Sequence, residues 1–248
     1  MRIAAGANSV RLQDAAEQSN LESAGQKSTV NSHLSNLDPQ SSILIKHCGV
    51  VEYEPTWRAM QDFTARRTAV TADQIWLLQH PPVYTLGVAA RAEHLPRSDN
   101  GIRVLRTDRG GQVTYHGPGQ IVAYLMLDLR RRGLSVRPLV RLMEQAVIGL
   151  LADFGVDAAG RADAPGVYVG NAKIAALGLR IKHGCCYHGV ALNAAMDLGP
   201  FRAIDPCGYP GLEVTQMLDL GIADPLEALS EKLGARLEHG LTADGAHR

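Results

Sequence analysis

No apolar run in this chain of 248 residues approaches the roughly 20 that a membrane-spanning helix needs, so the sequence offers no candidate membrane helix. An excess of charge is missing too. Twenty-five Lys and Arg balance 25 Asp and Glu, which argues against a strongly basic nucleic-acid binder and an acidic solvating protein alike. The N-terminus has one Arg and no apolar stretch of signal-peptide length, so secretion is not indicated and a reducing cytoplasm is the expected compartment. The four cysteines, Cys48, Cys185, Cys186 and Cys207, have neither the density nor the spacing of a disulfide scaffold, and no C-x-x-C pair marks a structural zinc site. There is no G-x-x-x-x-G-K-[ST] and no G-x-G-x-x-G that opens a helix, so a nucleotide-phosphate cradle has little support.

What is present is an ordinary globular composition, 46% apolar, in a chain long enough to bury a substantial core. Residues 1–40 stand apart. They are rich in Ser, Asn, Gln and Ala and contain no Phe, Tyr or Trp, so they bury too little apolar surface to offset the cost of ordering. They are expected to be a disordered extension; Asp14, Glu17 and Glu22 speak against a transit peptide. From residue 41 to about 240 the pattern is that of one α/β domain with a mixed β-sheet and flanking helices. Strands are expected at Ile43–Val51, Ile75–His80, Val83–Gly87 and Arg103–Thr107. Helices are expected from Thr56 to about Ala69, from Val136 to about Phe154 and from Pro225 to about Glu238. The middle helix carries Leu139, Leu142, Met143, Ala146, Val147 and Leu150 on one stripe. Gly170-Asn171 reads as the turn of a β-hairpin. Residues 241–248 are expected to fray.

Four stretches carry chemistry. Arg109–Gln120 is dense in Gly and Pro; glycine lets a backbone approach a ligand and offers amide donors without a side chain in the way. It can equally be a turn and a tight hairpin. Lys173 enters an apolar strand either as an edge gatekeeper with a solvated ammonium or as an amine directed into a pocket. Cys207 is flanked by Pro206 and Gly208, a poor place to bury an apolar side chain and a good one to present a thiol among open backbone amides. A neighbouring positive charge would favour its thiolate. His183, Cys185, Cys186 and His188 invite a metal, yet adjacent cysteines on a strand point to opposite faces and cannot readily share a tetrahedral site. Strand residues with one face toward a pocket is the better account.

Together, RGGQVTYHGPGQ, KIAALGLRI, HGVALN and DPCGYPG resemble the lipoyl(octanoyl) transferase family, from about Glu52 to Ala235. The resemblance implies the catalytic fold shared by biotin protein ligases and lipoate–protein ligases. It implies an acyltransferase that needs no cofactor and no metal. Octanoyl would move from octanoyl-acyl carrier protein to a lysine on lipoyl domains of 2-oxo acid dehydrogenase complexes and glycine cleavage H protein, through a cysteine thioester. Matched residue by residue, the thioester falls on Cys207, and Lys173 is the group that lowers its pKa. The acyl-binding segments fall on Arg109, Gly110, Gly111, Gln112, Val113, Thr114, Tyr115 and His116, on Ala176, Leu177 and Gly178, and on Gly189, Val190 and Ala191. His116 is a second candidate proton acceptor.

Three other functions compete: an ATP-dependent lipoate–protein ligase of the same fold, a thiol hydrolase with a Cys-His pair, and a catalytically silent carrier-binding module. The run from Arg103 to Arg141 holds eight arginines against Asp108 and Asp128. Beside a plain solvated face, it reads as a docking surface for an acidic carrier protein, with Arg130, Arg131 and Arg132 at its centre. Because the extension lacks an apolar pattern, a shortened chain starting at Ser41 is predicted to fold and keep transfer activity. Loss of activity in that folded chain would overturn the prediction.

Overall fold

The computed structural model describes residues 43–243 other than 92, 94, 98, 99 and 210, with Cys207 and Ala243 described by their backbone alone. The expected extension over 1–40 and the end of the chain past Ala243 lie outside the described residues. In chain order the elements begin with β1 (Ile43–Val50), α1 (Tyr53–Ala65), β2 (Asp73–Gln79) and β3 (Val83–Leu86). There follow β4 (Arg103–Arg106), β5 (Val113–His116), β6 (Gln120–Asp128) and α2 (Val136–Ala152). The last are β7 (Ala159–Gly160), β8 (Gly166–Val169), β9 (Ala172–Lys182), β10 (Cys185–Asn193) and α3 (Leu226–Ala243). Seven strands form one sheet in the order β1-β2-β6-β10-β9-β8-β7, and three form a second in the order β4-β3-β5. β1 and β2 are parallel, joined through α1; every other neighbour pair of the large sheet is antiparallel.

β6 shows why the sheet can carry a site. Ile121, Ala123, Leu125 and Leu127 face the layer of α2 and α3. Val122, Tyr124 and Met126 face the other way, against Met60 of α1. Both faces are covered, so the strand reads as a continuous apolar run rather than an alternating one. The α2 stripe named above is buried throughout. Opposite it, α3 presents Leu229, Leu233, Leu237 and Leu241 at i, i+4 spacing. The small sheet has its own core of Tyr84, Leu86, Val113, Tyr115 and Phe201.

Several element ends differ from expectation. α1 starts at Tyr53, three residues early, because Pro55 is tolerated in a first turn. It stops at Ala65, where Arg67 turns inward to Asp73. α3 runs on to Ala243, so residues 241–243 are helical rather than frayed. The β9–β10 connection is a hairpin whose turn residues, His183 and Gly184, are both left-handed (φ 52° and 81°), as a two-residue primed turn requires. The hairpin also separates the suspected metal ligands. Cys186 lies in the core beneath α2 and donates to Leu125 O at 3.4 Å, while His188 bonds Asp108 on the other side.

The arginine run is not one surface. Asp73, fully buried, receives Arg67, Arg131 and Arg132 together and also accepts from Asp128 N at 2.9 Å. Arg109 is buried as well. Of the three arginines expected on a docking face, Arg131 and Arg132 therefore point into the protein, where with Arg67 they converge on one carboxylate, while Arg130 stays exposed. Removing one partner of a buried charge cluster strands the others, at about 3–5 kcal/mol. Asp73→Ala is therefore predicted to lower unfolding free energy by about that amount in urea titrations, and charge reversal at Arg131 and Arg132 to prevent folding rather than to weaken docking.

Candidate active site

On the α1 side of the large sheet lies a narrow, partly open cavity. Its walls come from the loop before β5, from β5 itself, from the middle of β6, β9 and β10, and from the start of α1. Of the anticipated segments, Arg109, Gly111, Gln112, Val113, Thr114, His116, Ala176, Leu177, Gly178, Gly189, Val190 and Ala191 line it. Gly110 and Tyr115 do not. Gly110 N donates to Leu179 O at 2.9 Å and ties the loop to β9. The Tyr115 ring packs against Tyr84 and Phe201 in the small sheet's core. Tyr53, Val122, Tyr124 and His188 complete the lining; of these, only His188 belongs to a stretch expected to face a pocket.

The glycines let these walls close. A Cβ at Gly189 would stand 2.1 Å from Ala123 O, and one at Gly178 would stand 3.1 Å from Gly110 O. Arg109 staples the loop from within. Its Nε and Nη2 donate to Thr85 Oγ1 at 3.1 and 2.8 Å, Nη2 reaches Thr85 O and Gln112 O at 2.6 and 2.8 Å, and Nη1 reaches Gly110 O at 2.9 Å. Its neighbour Asp108 gathers four side chains. Trp57 Nε1 (2.7 Å) and His188 Nε2 (3.1 Å) bond Oδ1; Gln61 Nε2 (3.0 Å) and the Tyr187 hydroxyl bond Oδ2. Burial works to raise this carboxyl, but the hydrogen bonds from His188, Tyr187, Gln61 and Trp57 outweigh it and hold it well below the usual range.

Hydrogen-bond roles fix the tautomers of the buried imidazoles. His80 Nδ1 faces Val51 O at 2.7 Å, and a carbonyl only accepts, so Nδ1 carries the proton. Nε2 then accepts from the Tyr124 hydroxyl at 2.8 Å. His116 Nδ1 donates to Gln120 Oε1 at 2.7 Å, since the Gln120 amide nitrogen is committed to Asn193 Oδ1; its Nε2 faces Thr85 Oγ1 at 3.4 Å. Both nitrogens of His116 are thus engaged. Burial lowers all three imidazoles: His80 to about 4, His116 well below its ordinary value, and His188 downward despite Asp108.

Lys173 is 3% exposed on a strand flanked by β8 and β10, which removes the solvated-gatekeeper reading. Its Nζ donates to Pro165 O at 3.0 Å and lies 5.3 Å from the centroid of the Tyr168 ring. Gly166 makes room: a Cβ there would stand 2.3 Å from Lys173 Cε. Cys207 sits in a single 3-10 turn, Pro206–Gly208, which packs on β5. A Cβ on Gly208 (φ 73°) would collide with Gln112 Oε1, so the cavity-lining Gln112 rests directly on the cysteine's turn. A few residues on, the chain pairs beside Lys173, with Lys173 N donating to Glu213 O at 2.8 Å and Thr215 N to Lys173 O at 3.0 Å. The Cys207 turn thus abuts Gln112 of the cavity wall, and the segment that follows it pairs beside the buried Lys173. The amides of Gly208 and Tyr209 close the turn itself, onto Asp205 O and Pro206 O, and so are not the open donors expected there.

The seven-stranded mixed sheet with its flanking helices recurs in solved structures. A solved lipoate-protein ligase A bound with ATP superposes with a TM-score of 0.64 at 16% identity, over 80% of this chain and 84% of that one. A biotin protein ligase from Aquifex aeolicus in complex with biotin and ATP gives 0.53 at 9%, over 83% and 72%. At those identities the likeness concerns the fold. Residues 52–235 match the family described as Lipoyl protein ligase A/B catalytic domain, and the chain belongs to it. Within that family, curated relatives named Octanoyltransferase match most of the chain. That of Nitrosospira multiformis is 63% identical over 198 residues, covering 80% of this chain and 92% of the relative; that of Thiobacillus denitrificans is 58% identical over 205 residues, covering 83% and 94%.

The depressed imidazoles set an acid limit. The unfolded chain takes up a proton on His80 near pH 6.5, while the folded chain refuses it until about pH 4. Stability is therefore predicted to fall as pH drops through that window, by roughly 3 kcal/mol for this group alone. Urea midpoints between pH 7.5 and 4 should show the slope, and His80→Gln should flatten it. An unchanged slope in that variant would remove His80 from the account.

Proposed function

We propose that this chain transfers an octanoyl group from octanoyl-acyl carrier protein to a lysine ε-amine on a lipoyl domain, through a thioester on Cys207. The observation that supports the reading is the Cys207 turn resting on the cavity-lining Gln112, with the chain that leaves this turn pairing beside the buried Lys173. The archaeal lipoate protein ligase of the same fold, solved as a system with its E2 lipoyl domain, supports a lipoyl domain as acceptor.

The chemistry follows from ordinary values. A free thiol with a pKa of about 8.5 is only a few per cent thiolate at neutral pH. An ammonium alongside stabilises the thiolate, or a desolvated amine takes its proton; the two descriptions differ in where one proton rests. The Cys207 thiolate attacks the carrier thioester carbonyl, the carbon–sulfur bond to the carrier breaks, and the carrier leaves as a thiolate. The acceptor amine then attacks the enzyme thioester. An amide forms, the bond to Cys207 breaks, and Lys173 accepts the proton the amine loses. His116, with both nitrogens engaged, is the poorer acceptor for it. Thioester exchange is nearly thermoneutral and amide formation is downhill, so no ATP is required. The slot supplies acyl affinity at about 0.8 kcal/mol per buried methylene.

Intact-protein mass spectrometry after mixing with octanoyl carrier protein should show one octanoyl adduct, mapped to Cys207. Cys207→Ser should abolish turnover, and Cys185→Ser should keep most of it. Lys173→Ala and Lys173→Arg should both slow adduct formation, the first more, since Arg keeps the charge but is a poor base. An adduct on Cys185, or turnover driven by free octanoate with ATP and Mg²⁺, would overturn the reading.

A further inference from the structure

An acyl slot needs apolar walls, and one end of this one lacks them. His188 lines the cavity at 1% exposure. Its Nε2–H is given to Asp108, which leaves the Nδ1 lone pair buried without a hydrogen-bond partner. A buried acceptor with nothing to accept is costly, and the backbone is strained to keep it there. By strand alternation His188 should face the helical layer with Cys186 and Val190. Instead its φ is 64°, uncommon for a residue with a side chain. The β6–β10 pairing lapses between Cys186 and Gly189, and the ring stands against Tyr124 and Tyr187. Strain of this kind persists where function holds it.

The register gives the distance. His188 pairs with Leu179, whereas the Lys173 amine lies against Gly166, whose partner is Ala176. Three residues of strand, about 10 Å, separate the two levels. Between them the cross-strand pairs are Gly178 with Gly189 and Ala176 with Ala191, which leave a channel. An extended chain advances about 1.3 Å per bond, so the seven carbon–carbon bonds of an octanoyl group span about 9 Å.

We propose that His188, held by Asp108, is the distal stop of the acyl slot: it sets the chain length at about eight carbons, and it accepts a hydrogen bond from a hydroxyl carried at the far end of a chain of that length. The inference rests on the octanoyl-transfer reading, which puts the acyl carbonyl on Cys207, next to the proton-accepting Lys173.

The test is calorimetric binding of straight-chain carboxylates of six to twelve carbons, and of 8-hydroxyoctanoate, to the full-length protein and to His188→Gly, which keeps the left-handed backbone and removes the ring. In the wild type, affinity should rise about fourfold per methylene up to eight carbons and then stop rising. In His188→Gly it should go on rising through ten and twelve. 8-Hydroxyoctanoate should bind the wild type at least as tightly as octanoate and should lose that parity in the variant. His188→Asn, which tolerates the same φ and is shorter than imidazole, should shift the profile in the same direction and serves if the glycine variant fails to fold. A wild-type affinity that climbs steadily to twelve carbons, or the same profile in wild type and folded variants, would overturn the stop. Failure of the wild type to transfer octanoyl from carrier protein would instead overturn the functional reading.

Discussion

The slot exists because Asp108 stays ionised. That one carboxylate is bonded by two side chains of α1 and two of β10, elements that otherwise meet only through packing. Its chain neighbour Arg109 bonds in the opposite direction, to the small sheet and to the loop's own carbonyls. The Gly-rich loop is therefore held from both sides by charges a single peptide apart. Glycines elsewhere in the slot permit close approach; these two side chains enforce it. A neutral side chain at 108 could not accept all four donors, and the loop would be fastened only to the small sheet.

Asp73 answers a similar problem with the opposite chemistry. Asp108 is surrounded by neutral donors, whereas Asp73 draws three arginines into the protein at the far end of β6. The first arrangement orients two rings, Tyr187 and His188, at a cavity. The second joins the end of α1, the start of β2 and the turn after β6. The two carboxylates thus bracket the sheet, one organising a site and the other a scaffold.

Much of the fold was legible because its signals are local. The α2 stripe follows the helical period, Gly170 (φ 57°) turns the first hairpin as its sequence suggests, and the Gly-rich loop does wall the slot. What escaped reading depends on direction rather than composition. β6 is apolar on both faces, so nothing in its letters tells Tyr124, which lines the cavity, from Leu125, which does not. His188 breaks strand alternation by a left-handed backbone that no sequence pattern announces. Arg131 and Arg132 read as surface charge because their partner, Asp73, lies far back in the chain. Tyr53 fell outside the expected helix, and Asp108 was noted only as a charge opposing arginines.

The β9–β10 hairpin turns at His183-Gly184, so half of the slot's floor is built from residues close in sequence. The other half, where Gly189 meets Tyr124 across the β6–β10 ladder, joins segments far apart in the chain. Hairpins close in microseconds, while distant strand pairings must first overcome the entropy of a long loop. The chain therefore forms one wall early and on its own, and acquires an enclosed cavity only when β10 docks on β6. Until that step, an acyl chain has a ribbon to touch and no slot to enter.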